Sequence, residues 1–555
     1  MSSYDNGVRR RSPVIGDLQI EPVDSLSADT NAAEPVDVLL ELNMRYPGGR
    51  VAVTRALSRL WDSWSAVARP AIDGGPPVDA DPAEPAEPAD ADPAEPAEPA
   101  EPADADPLSR PRRVSSHIYQ VVVTRAELDQ LITADRNDRN GGATVIFKAW
   151  PDYALYPLID RSAATVKAPA AWRSYQALGK EIVWAVIDSG IQADHQHFAD
   201  LLIAGDIPAD ATPPIVAAIP GAAAPVSKAT GFHRDFTSLV APSQLGPLVG
   251  PGAPLTDELG HGSHVAGIIA GQGTRGSVVV AASDEPSGSE GFVQRTPGDD
   301  LWGMAPNCQL VSLKVMRKNL QGDWVTSSAA IIAALEYIRT DVNVSRSAMQ
   351  IHGVNISLGC DWDPAHYAAG QSPLCQAVDE LVASGVVVVI SAGNGGSTGA
   401  PADAKQNISL MGTVTEPGHA EGAITVGSTH RDAPLAFGVS WRSGKGPTLD
   451  GRSKPDVIAP GEWITSVAVG NIRASAGLNK PGIDPRRTYA EQSGTSMAAP
   501  HVSGVIAGFL SARPEFIGRP QQVKELMCRT ATDLGRERYA QGHGLIDAMR
   551  MLSDS

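Results

Sequence analysis

Apolar residues in the first 150 positions follow a strand–helix–strand–helix–strand pattern. Alternating or continuous apolar runs predict strands over 36–44, 117–123 and 144–150. Apolar positions at helical spacing predict helices over 51–67 and 125–133. The chain is therefore expected to contain a small α+β domain in two parts, 36–69 and 114–155.

The pattern changes after residue 180, where strands alternate with helices. Apolar strands are predicted over 183–187, 354–358 and 386–391, with amphipathic helices near 331–338 and 374–382. The strand at 386–391 is apolar nearly throughout, as in a parallel sheet covered on both faces. We expect an α/β domain with a parallel central sheet over 170–552, whose site lies beyond the carboxyl ends of the strands.

A low-complexity stretch over 70–113 separates the two parts of the small domain. It repeats the phrase PAEPAEPADAD, which favours an extended, solvated linker, although a docking motif is an open alternative. Residues 1–35 carry no pattern and are expected to be a disordered N-terminus.

The formal charge of −18 arises mainly in this stretch, because eleven carboxylates between Asp79 and Asp106 leave −7 for the rest of the chain. No basic stripe is present, so a nucleic-acid partner is not expected.

Targeting signals and cysteines change this picture little. The first 20 residues contain no apolar signal-peptide core, and no apolar run reaches membrane-spanning length, which predicts a cytoplasmic protein without a membrane partner. Export by another route stays open. Four cysteines are too few for a disulfide framework. Cys360 and Cys375 are expected to lie close enough for one disulfide, with two reduced thiols as an equal alternative.

Three segments carry candidate chemistry. Asp188 ends the apolar strand in VWAVIDSGI, His261 begins a small-residue helix in GHGSHVAGIIAG, and Ser496 lies at the start of the helix in SGTSMAAPHVSGVIAGFL. Alone, Asp188 is better explained as a turn residue before Gly190. His261 and His264 have the spacing of metal ligands, but no third ligand stands at a familiar distance. Free backbone N–H groups at a helix start favour the negative charge that develops beside Ser496.

Together the three segments resemble the subtilase family. GTSMAAPHVSG is similar to its serine signature, HGSHVAG to its histidine block and VIDSG to its aspartate block. They occur in the subtilisin order, separated by 73 and 235 residues. The resemblance implies a subtilisin-like three-layer α/β fold and a serine endopeptidase that hydrolyses peptide bonds with the triad Asp188, His261 and Ser496. The small α+β domain resembles the ferredoxin-like propeptide of subtilases, which implies that the protein's own N-terminal region acts as an intramolecular inhibitor. A permanent accessory domain that never blocks the site is an equal alternative.

The resemblance also implies the residues that bind substrate. VVVVISAGNGG is similar to the segment that supplies the oxyanion-hole amide, which assigns Asn394 to that role. VNISLG is similar to the strand that pairs with an extended polypeptide substrate. The substrate-binding residues implied are Ser357, Leu358, Gly359 and Gly393. Thr415 and Glu416 are expected near the pocket floor, where Glu416 either favours basic substrates or is a solvated surface residue.

No cofactor is expected, and no metal ligands are assigned. An insertion over about 273–300 occupies the region where compact subtilisins carry a calcium loop, so calcium dependence stays open with its ligands unknown. Asp257 and Glu258 are equally explained as surface charges. Two rival functions remain: a non-catalytic protein that holds peptides in the same cleft, and a processing protease with one dedicated substrate.

Overall fold

The structure of the chain is a computed structural model. It describes residues 35–68, 110–137, 143–151, 154–157, 165–199, 232–240, 253–273, 279–283, 292–295, 301–344, 349–362, 367–398 and 408–555. Most of the predicted linker and nearly all of the predicted disordered N-terminus lie outside these residues, as does most of the insertion at 273–300.

The N-terminal unit, defined here as residues 35–68, 110–137 and 143–151, is a four-stranded antiparallel sheet with two helices. The helices Gly49–Ala68 and Arg125–Asn137 confirm the predicted ones and extend them by a few residues. The strands lie in the order Arg112–Arg113, Ile118–Thr124, Pro35–Leu42 and Ile146–Pro151. This β-α-β-β-α-β arrangement is ferredoxin-like.

The two faces of this sheet bury different side chains, because successive residues of a strand point to opposite faces. Val38 and Leu40 pack with Leu57 and Leu128 of the two helices. Leu39, on the other face, belongs to a core shared with the rest of the chain. The N-terminal unit therefore packs its second face on the following domain.

Side-chain hydrogen bonds also cross the same interface. Arg112 Nη1 donates to the Ser238 carbonyl at 2.8 Å, and Gln120 Nε2 donates to the Leu239 carbonyl at 3.0 Å. Gln120 is 1% exposed, so this contact is desolvated. The unit is thus held against the domain by both polar and apolar contacts.

Within the described residues, the central sheet has seven parallel strands. In spatial order they are Val457–Glu462, Ile424–His430, Val387–Ser391, Gly353–Ile356, Val183–Asp188, Gln309–Lys314 and Arg234–Asp235. After Val183–Asp188 the chain adds Arg234–Asp235 and then Gln309–Lys314 on one side, and later strands build outward on the other. The carboxyl end of Val183–Asp188 therefore lies where the strand order reverses, which is the usual place for a site in such sheets.

Helices cover both faces of the central sheet, which gives the predicted three-layer α/β architecture. Trp184 and Val186 face a core built with the helices His261–Ile269 and Thr495–Ala512. Ala185 and Ile187 face the core that includes the helices Ser328–Tyr337 and Pro373–Ala383. The two helices that carry His261 and Ser496 thus share one layer.

Further elements complete the fold. The other α-helices are Ala168–Tyr175, Pro434–Phe437, Gly470–Ser475, Pro520–Thr530, Arg538–Gln541 and Ala548–Ser553. Short 3-10 or π turns are Gln196–Phe198, Thr237–Leu239, Ile338–Val342, Pro485–Arg487 and Pro514–Phe516. The remaining strands are Ala154–Pro157, Gln272–Gly273, Val279–Ser283, Phe292–Arg295, Leu301–Trp302, Arg317–Lys318, Trp324–Ser327, Leu358–Gly359, Ser397–Thr398, Ile408–Ser409, Ile464–Val467 and Thr488–Gln492.

No helix within the described residues is long and apolar enough to cross a membrane.

Candidate active site

Asp188 and His261 form a buried hydrogen-bonded pair at the carboxyl end of the central sheet. His261 Nδ1 lies 2.8 Å from Asp188 Oδ1, and neither side chain is exposed to solvent. The Ser189 N–H donates to the same carboxylate oxygen at 2.7 Å. Because the acceptor at Nδ1 is a carboxylate, the proton of a neutral His261 is held at Nδ1, and Nε2 is left as the basic nitrogen.

The helix that begins at His261 is fixed by Asp257. Its carboxylate accepts from the Gly260 N–H at 2.7 Å, from the Ser263 N–H at 2.8 Å and from the Ser189 hydroxyl at 2.8 Å. These bonds satisfy N–H groups that a helix start leaves unpaired. Ser189 follows Asp188 directly, so one carboxylate ties the Asp188 strand to the His261 helix.

Close backbone approach at this junction requires a glycine. A Cβ at position 262 would lie 2.2 Å from the Gly190 carbonyl oxygen and 3.1 Å from the Cβ of Asp188. Any side chain there would push the helix away from the strand. Gly262 therefore helps to set the separation of Asp188 and His261.

The interpretation of Asp257 as a surface charge is wrong, since it is 2% exposed. Burial raises the pKa of its carboxyl against the opposing effect of the hydrogen bonds. Glu258 is exposed and pairs with Lys314 at 2.8 Å, which agrees with a surface role. A capping residue normally stands directly before the first turn of its helix, and Gly260 has that position here, so the local sequence gave no signal for Asp257.

Ser496 is the second residue of the helix Thr495–Ala512, named here the Ser496 helix. Asn394 caps it: Asn394 Oδ1 accepts from the Thr495 N–H at 3.0 Å and from the Thr495 hydroxyl at 3.2 Å. The Thr495 hydroxyl also accepts from the Gly393 N–H at 3.1 Å. Since the carboxamide oxygen is committed to the helix start, the Asn394 NH₂ group is directed away from it and, among the described residues, has no hydrogen-bond partner.

The Ser496 hydroxyl lies against the strand end at Ser357. Ser496 Oγ donates to the Ser357 carbonyl at 3.1 Å, and Ser357 Oγ donates to the Ser496 carbonyl at 2.8 Å. Asn355 Nδ2 donates to Ser357 Oγ at 2.9 Å, and its Oδ1 accepts from Ser503 Oγ at 2.9 Å. This network joins the central sheet to two points of the Ser496 helix, and the sequence patterns gave no indication of Asn355 or Ser503.

The predicted substrate-binding strand is already paired with another segment of the chain. Leu358 and Gly359 are paired antiparallel with the strand Ala154–Pro157, in the register Leu358 to Pro157 and Gly359 to Tyr156. On its other side, Ala154–Pro157 pairs antiparallel with Trp324–Ser327. The segment that follows the N-terminal unit therefore forms the middle strand of a sheet beside Ser496.

Glu416 is not a solvated surface residue. It is 1% exposed, and its Oε2 lies 3.5 Å from the Tyr367 hydroxyl. His419 Nδ1 lies 3.8 Å from Oε1. The Glu416 carboxylate is thus enclosed by the buried side chains of Tyr367 and His419.

The four cysteines are free thiols, so the predicted disulfide between Cys360 and Cys375 does not form here. The Cys375 thiol donates to the Pro417 carbonyl at 3.7 Å. Burial, reinforced by the nearby Glu416 charge, raises the pKa of Cys375 well above its usual value. A protonated thiol in this setting is structural.

His264 is not arranged with His261 as a metal ligand. Its Nε2 lies 3.1 Å from the Ala490 carbonyl in a fully buried setting. Within the parts of the chain that the structure describes, no group of three or more His, Cys, Asp or Glu residues could hold a metal ion.

The chain is similar to known proteases. The model of the subtilase family matches residues 179–544. Subtilisin DY of Bacillus licheniformis is 31% identical over 292 residues, which are 53% of this chain and 77% of that protein. Subtilisin E of Bacillus subtilis is 28% identical over 383 residues, 69% of this chain and 68% of that protein. For the serine protease AprX of Bacillus subtilis, identity is 30% over 286 residues, 50% of this chain and 53% of that protein.

Proposed function

This chain belongs to the subtilase family of serine endopeptidases, and from that premise we propose that it hydrolyses peptide bonds with Ser496 as nucleophile, His261 as general base and Asp188 as orienting carboxylate. The observation that carries the proposal is the 2.8 Å contact of His261 Nδ1 with Asp188 Oδ1, which leaves Nε2 basic. The start of the Ser496 helix lies in the same layer as the His261 helix.

The proposed reaction follows from these roles. Ser496 Oγ attacks the scissile carbonyl while His261 Nε2 accepts its proton, and the imidazolium then protonates the leaving amine. Water deacylates the enzyme by the same sequence of proton transfers. The buried Asp188 carboxylate stabilises the imidazolium and keeps the imidazole in one orientation.

Asn394 is proposed to stabilise the oxyanion. The Thr495 N–H and hydroxyl hold its carboxamide oxygen, which fixes the direction of the Asn394 NH₂ group. A donor that is oriented before the reaction costs no reorganisation when negative charge develops. The backbone N–H of Ser496, at the start of its helix, is the second proposed donor.

The proposed substrate is a polypeptide in extended conformation. Such a chain would occupy the place of the strand Ala154–Pro157, between Leu358–Gly359 and Trp324–Ser327. Pairing with two strands uses the main chain of the substrate, and this favours unfolded or flexible segments.

The N-terminal region is proposed to restrain the enzyme until it is cut. Three observations support this: Ala154–Pro157 occupies the strand position beside Leu358–Gly359, the N-terminal unit packs on the domain, and neither His261 nor Ser496 is exposed. Cleavage on the carboxyl side of Pro157 would release the unit together with its strand.

Parallel purification of wild-type and Ser496→Ala proteins tests both proposals. We expect wild type to lose roughly its first 150–170 residues and to cleave a fluorogenic peptide. The Ser496→Ala protein should stay full length, with activity reduced on the order of 10⁶-fold, a magnitude measured in subtilisin, a relative. Comparable activity in the folded variant would contradict the triad, and a fully active wild type with an intact N-terminus would contradict the restraint.

A further inference from the structure

Two buried histidines, His195 and His197, lie on the loop that follows Asp188. Their side chains are 1% and 2% exposed. A buried polar group needs hydrogen-bond partners, and every ring nitrogen of the two imidazoles has one. These partners come from the loop itself and from two other segments of the proposed active site.

His195 binds the loop to the strand Thr488–Gln492, which leads to Ser496. Its Nε2 lies 3.1 Å from the Thr488 carbonyl oxygen, and its Nδ1 accepts from the His197 N–H at 3.3 Å. A carbonyl only accepts and an N–H only donates, so the proton of His195 is held at Nε2. Both bonds therefore require a neutral imidazole.

His197 binds the loop to a helix and to the same strand. Its Nε2 lies 3.0 Å from the carbonyl oxygen of Gly267, in the helix that begins at His261, and its Nδ1 lies 3.0 Å from the Tyr489 hydroxyl. The carbonyl holds the proton at Nε2, which leaves Nδ1 to accept from the hydroxyl. The Tyr489 ring also packs edge-on against both imidazoles, with centroids 5.3 and 5.5 Å apart.

The loop and the end of this helix approach each other too closely for a side chain on the helical side. A Cβ at Gly271, where φ is +109°, would lie 2.4 Å from both Cδ2 and the carbonyl oxygen of His197. A larger residue at position 271 would separate the two segments. The hydrogen bonds of His197 thus form across a tightly packed contact.

Burial keeps both imidazoles neutral. It lowers the pKa of His195 to about 4 and, with a smaller contribution from His195, that of His197 to about 3. The Asp484 carboxylate favours the charged form of His195, but it is partly exposed and pairs with Arg486 at 3.1 Å. Both histidines therefore keep the hydrogen bonds of their neutral forms at neutral pH.

The three segments joined in this way each carry one residue of the proposed triad. Each contact lies within seven residues of the triad member on its own segment, so a shift at the contact is transmitted over a short length of chain. The pairs are His195 with Asp188, Gly267 with His261, and Tyr489 with Ser496.

We propose that His195 and His197 are positioning residues for the triad, which bind the loop after Asp188 to the His261 helix and to the strand that leads to Ser496. The inference rests on the proposed proteolytic function. The two imidazoles are enclosed and do not touch substrate, so they act through the placement of the Asp188 carboxylate. A misplacement of about 1 Å at a reacting group can cost about 10²-fold in rate.

Kinetics of His197→Gln on one fluorogenic peptide test the proposal. The full chain is used as purified, well below its unfolding temperature, and rates are expressed per site titrated with a fluorophosphonate. A carboxamide cannot reach both Gly267 and Tyr489 from opposite edges of a ring. We expect kcat to fall by about 10- to 100-fold with little change in KM, because geometry rather than substrate binding is altered.

His352→Gln is the matched control for this substitution. His352 Nδ1 accepts from the Val183 N–H at 3.1 Å, where the strand Val183–Asp188 begins, at the end of the sheet away from the triad. It should leave kcat unchanged even if it lowers the unfolding temperature.

Tyr489→Phe is a milder variant that removes only the hydroxyl bound to His197. It should lower kcat by about 2- to 10-fold, the effect of one hydrogen bond. Combined with His197→Gln it should cause no further loss, because both substitutions break the same contact. Tyr337→Phe is its control, since that hydroxyl donates to the Phe232 carbonyl at 3.2 Å in the other helical layer.

The outcomes separate the inference from the proteolytic function. Variants of His197 and Tyr489 that unfold at lower temperature but keep the wild-type kcat would show a structural role alone and overturn the inference. Losses that multiply in the double variant would overturn it as well. If His197→Gln does not fold, the kcat of Tyr489→Phe decides. If the wild-type protein cleaves no peptide and reacts with no fluorophosphonate, the proteolytic function itself is contradicted.

Discussion

The His261 helix and the Ser496 helix both begin at or next to a proposed catalytic residue, yet their first turns are capped differently. Asp257 caps the His261 helix with a fully enclosed carboxylate whose oxygens are taken up by the Gly260 and Ser263 N–H groups and the Ser189 hydroxyl. Asn394 caps the Ser496 helix with only one end of its carboxamide. Asp257 therefore acts only in holding the structure, whereas Asn394 keeps its NH₂ group as a donor for catalysis.

This difference predicts that substitution of Asp257 and substitution of Asn394 affect different properties of the enzyme. Loss of Asp257 should appear mainly in the free energy of unfolding, because its contacts are internal. Loss of Asn394 should appear mainly in kcat, because its NH₂ group is proposed to act only on the reacting oxyanion.

The largest effect is expected for Asn394→Ala. We predict a loss in kcat of roughly 10²–10³, with little change in KM, because a transition-state donor is removed; the magnitude comes from subtilisin, a relative. Steady-state kinetics on one peptide measures it.

Asn394→Asp is the matched control for the cap. Its carboxylate retains an acceptor for the Thr495 N–H but has no NH₂ donor. We expect it to lose kcat as Asn394→Ala does, while the free energy of unfolding changes less than the roughly 1 kcal/mol expected for loss of a cap. Full activity in the aspartate variant would contradict the donor role.

A smaller effect is expected for Asp257→Asn. The amide has one acceptor oxygen in place of two, so at least one of the three donors becomes unpaired. We predict a decrease of about 1–3 kcal/mol in the free energy of unfolding, measured by denaturant titration in the Ser496→Ala background to prevent self-digestion. The same substitution in the active enzyme should reduce kcat less than Asn394→Ala does. If Asp257→Asn left the free energy of unfolding unchanged and lowered kcat more than Asn394→Ala does, the proposed structural role of Asp257 would be contradicted.

The two helices also share a feature, since each buries a neutral histidine near its start. Burial lowers the pKa of His264 to about 3 and that of His501 to about 4. The unfolded chain has ordinary histidine pKa values near 6.5, so it binds protons first as the pH falls. The stability contributed by each neutral imidazole is therefore fully present above about pH 6.5 and is lost as the pH falls toward the folded pKa.

At pH 5 this linkage should remove about 2 kcal/mol per histidine from the free energy of unfolding. Denaturant titrations at pH 7 and pH 5 on the Ser496→Ala protein measure the sum over the buried histidines, which include His195 and His197, because burial also lowers their pKa values, to about 4 and about 3. His501→Asn should reduce the difference between the two pH values by about one histidine's share. A stability that does not change between these pH values would contradict the neutral, buried state of both side chains.

The predictions from the sequence were most accurate for helices and strands whose residue types and spacing are dictated by the fold. The apolar run before Asp188 predicted a buried strand, and the predicted helices and strands of the central domain were confirmed within a few residues. Asp188 ends one of these buried strands and His261 begins a buried helix, and the two residues meet at the end of the sheet.

Contacts between distant segments could not be read from local patterns. Asp257 has the same sequence context as an exposed acidic residue, and only the returning helix encloses it. The direction of Glu416 depends on which of two adjacent side chains faces Gly359 and Gly393, which a one-residue shift would reverse. The insertion of Ala154–Pro157 between two strands likewise depends on pairing across more than 150 residues of sequence.

The most direct test of the central claim is active-site labelling with a fluorophosphonate, followed by identification of the modified peptide. We predict one adduct, on Ser496, in the wild-type protein, and no labelling of Ser496→Ala. His261→Ala should label far more slowly, because the hydroxyl is then no longer activated by a base. Labelling of folded Ser496→Ala at the wild-type rate, or an adduct on a different serine, would contradict the assignment of Ser496 as the nucleophile.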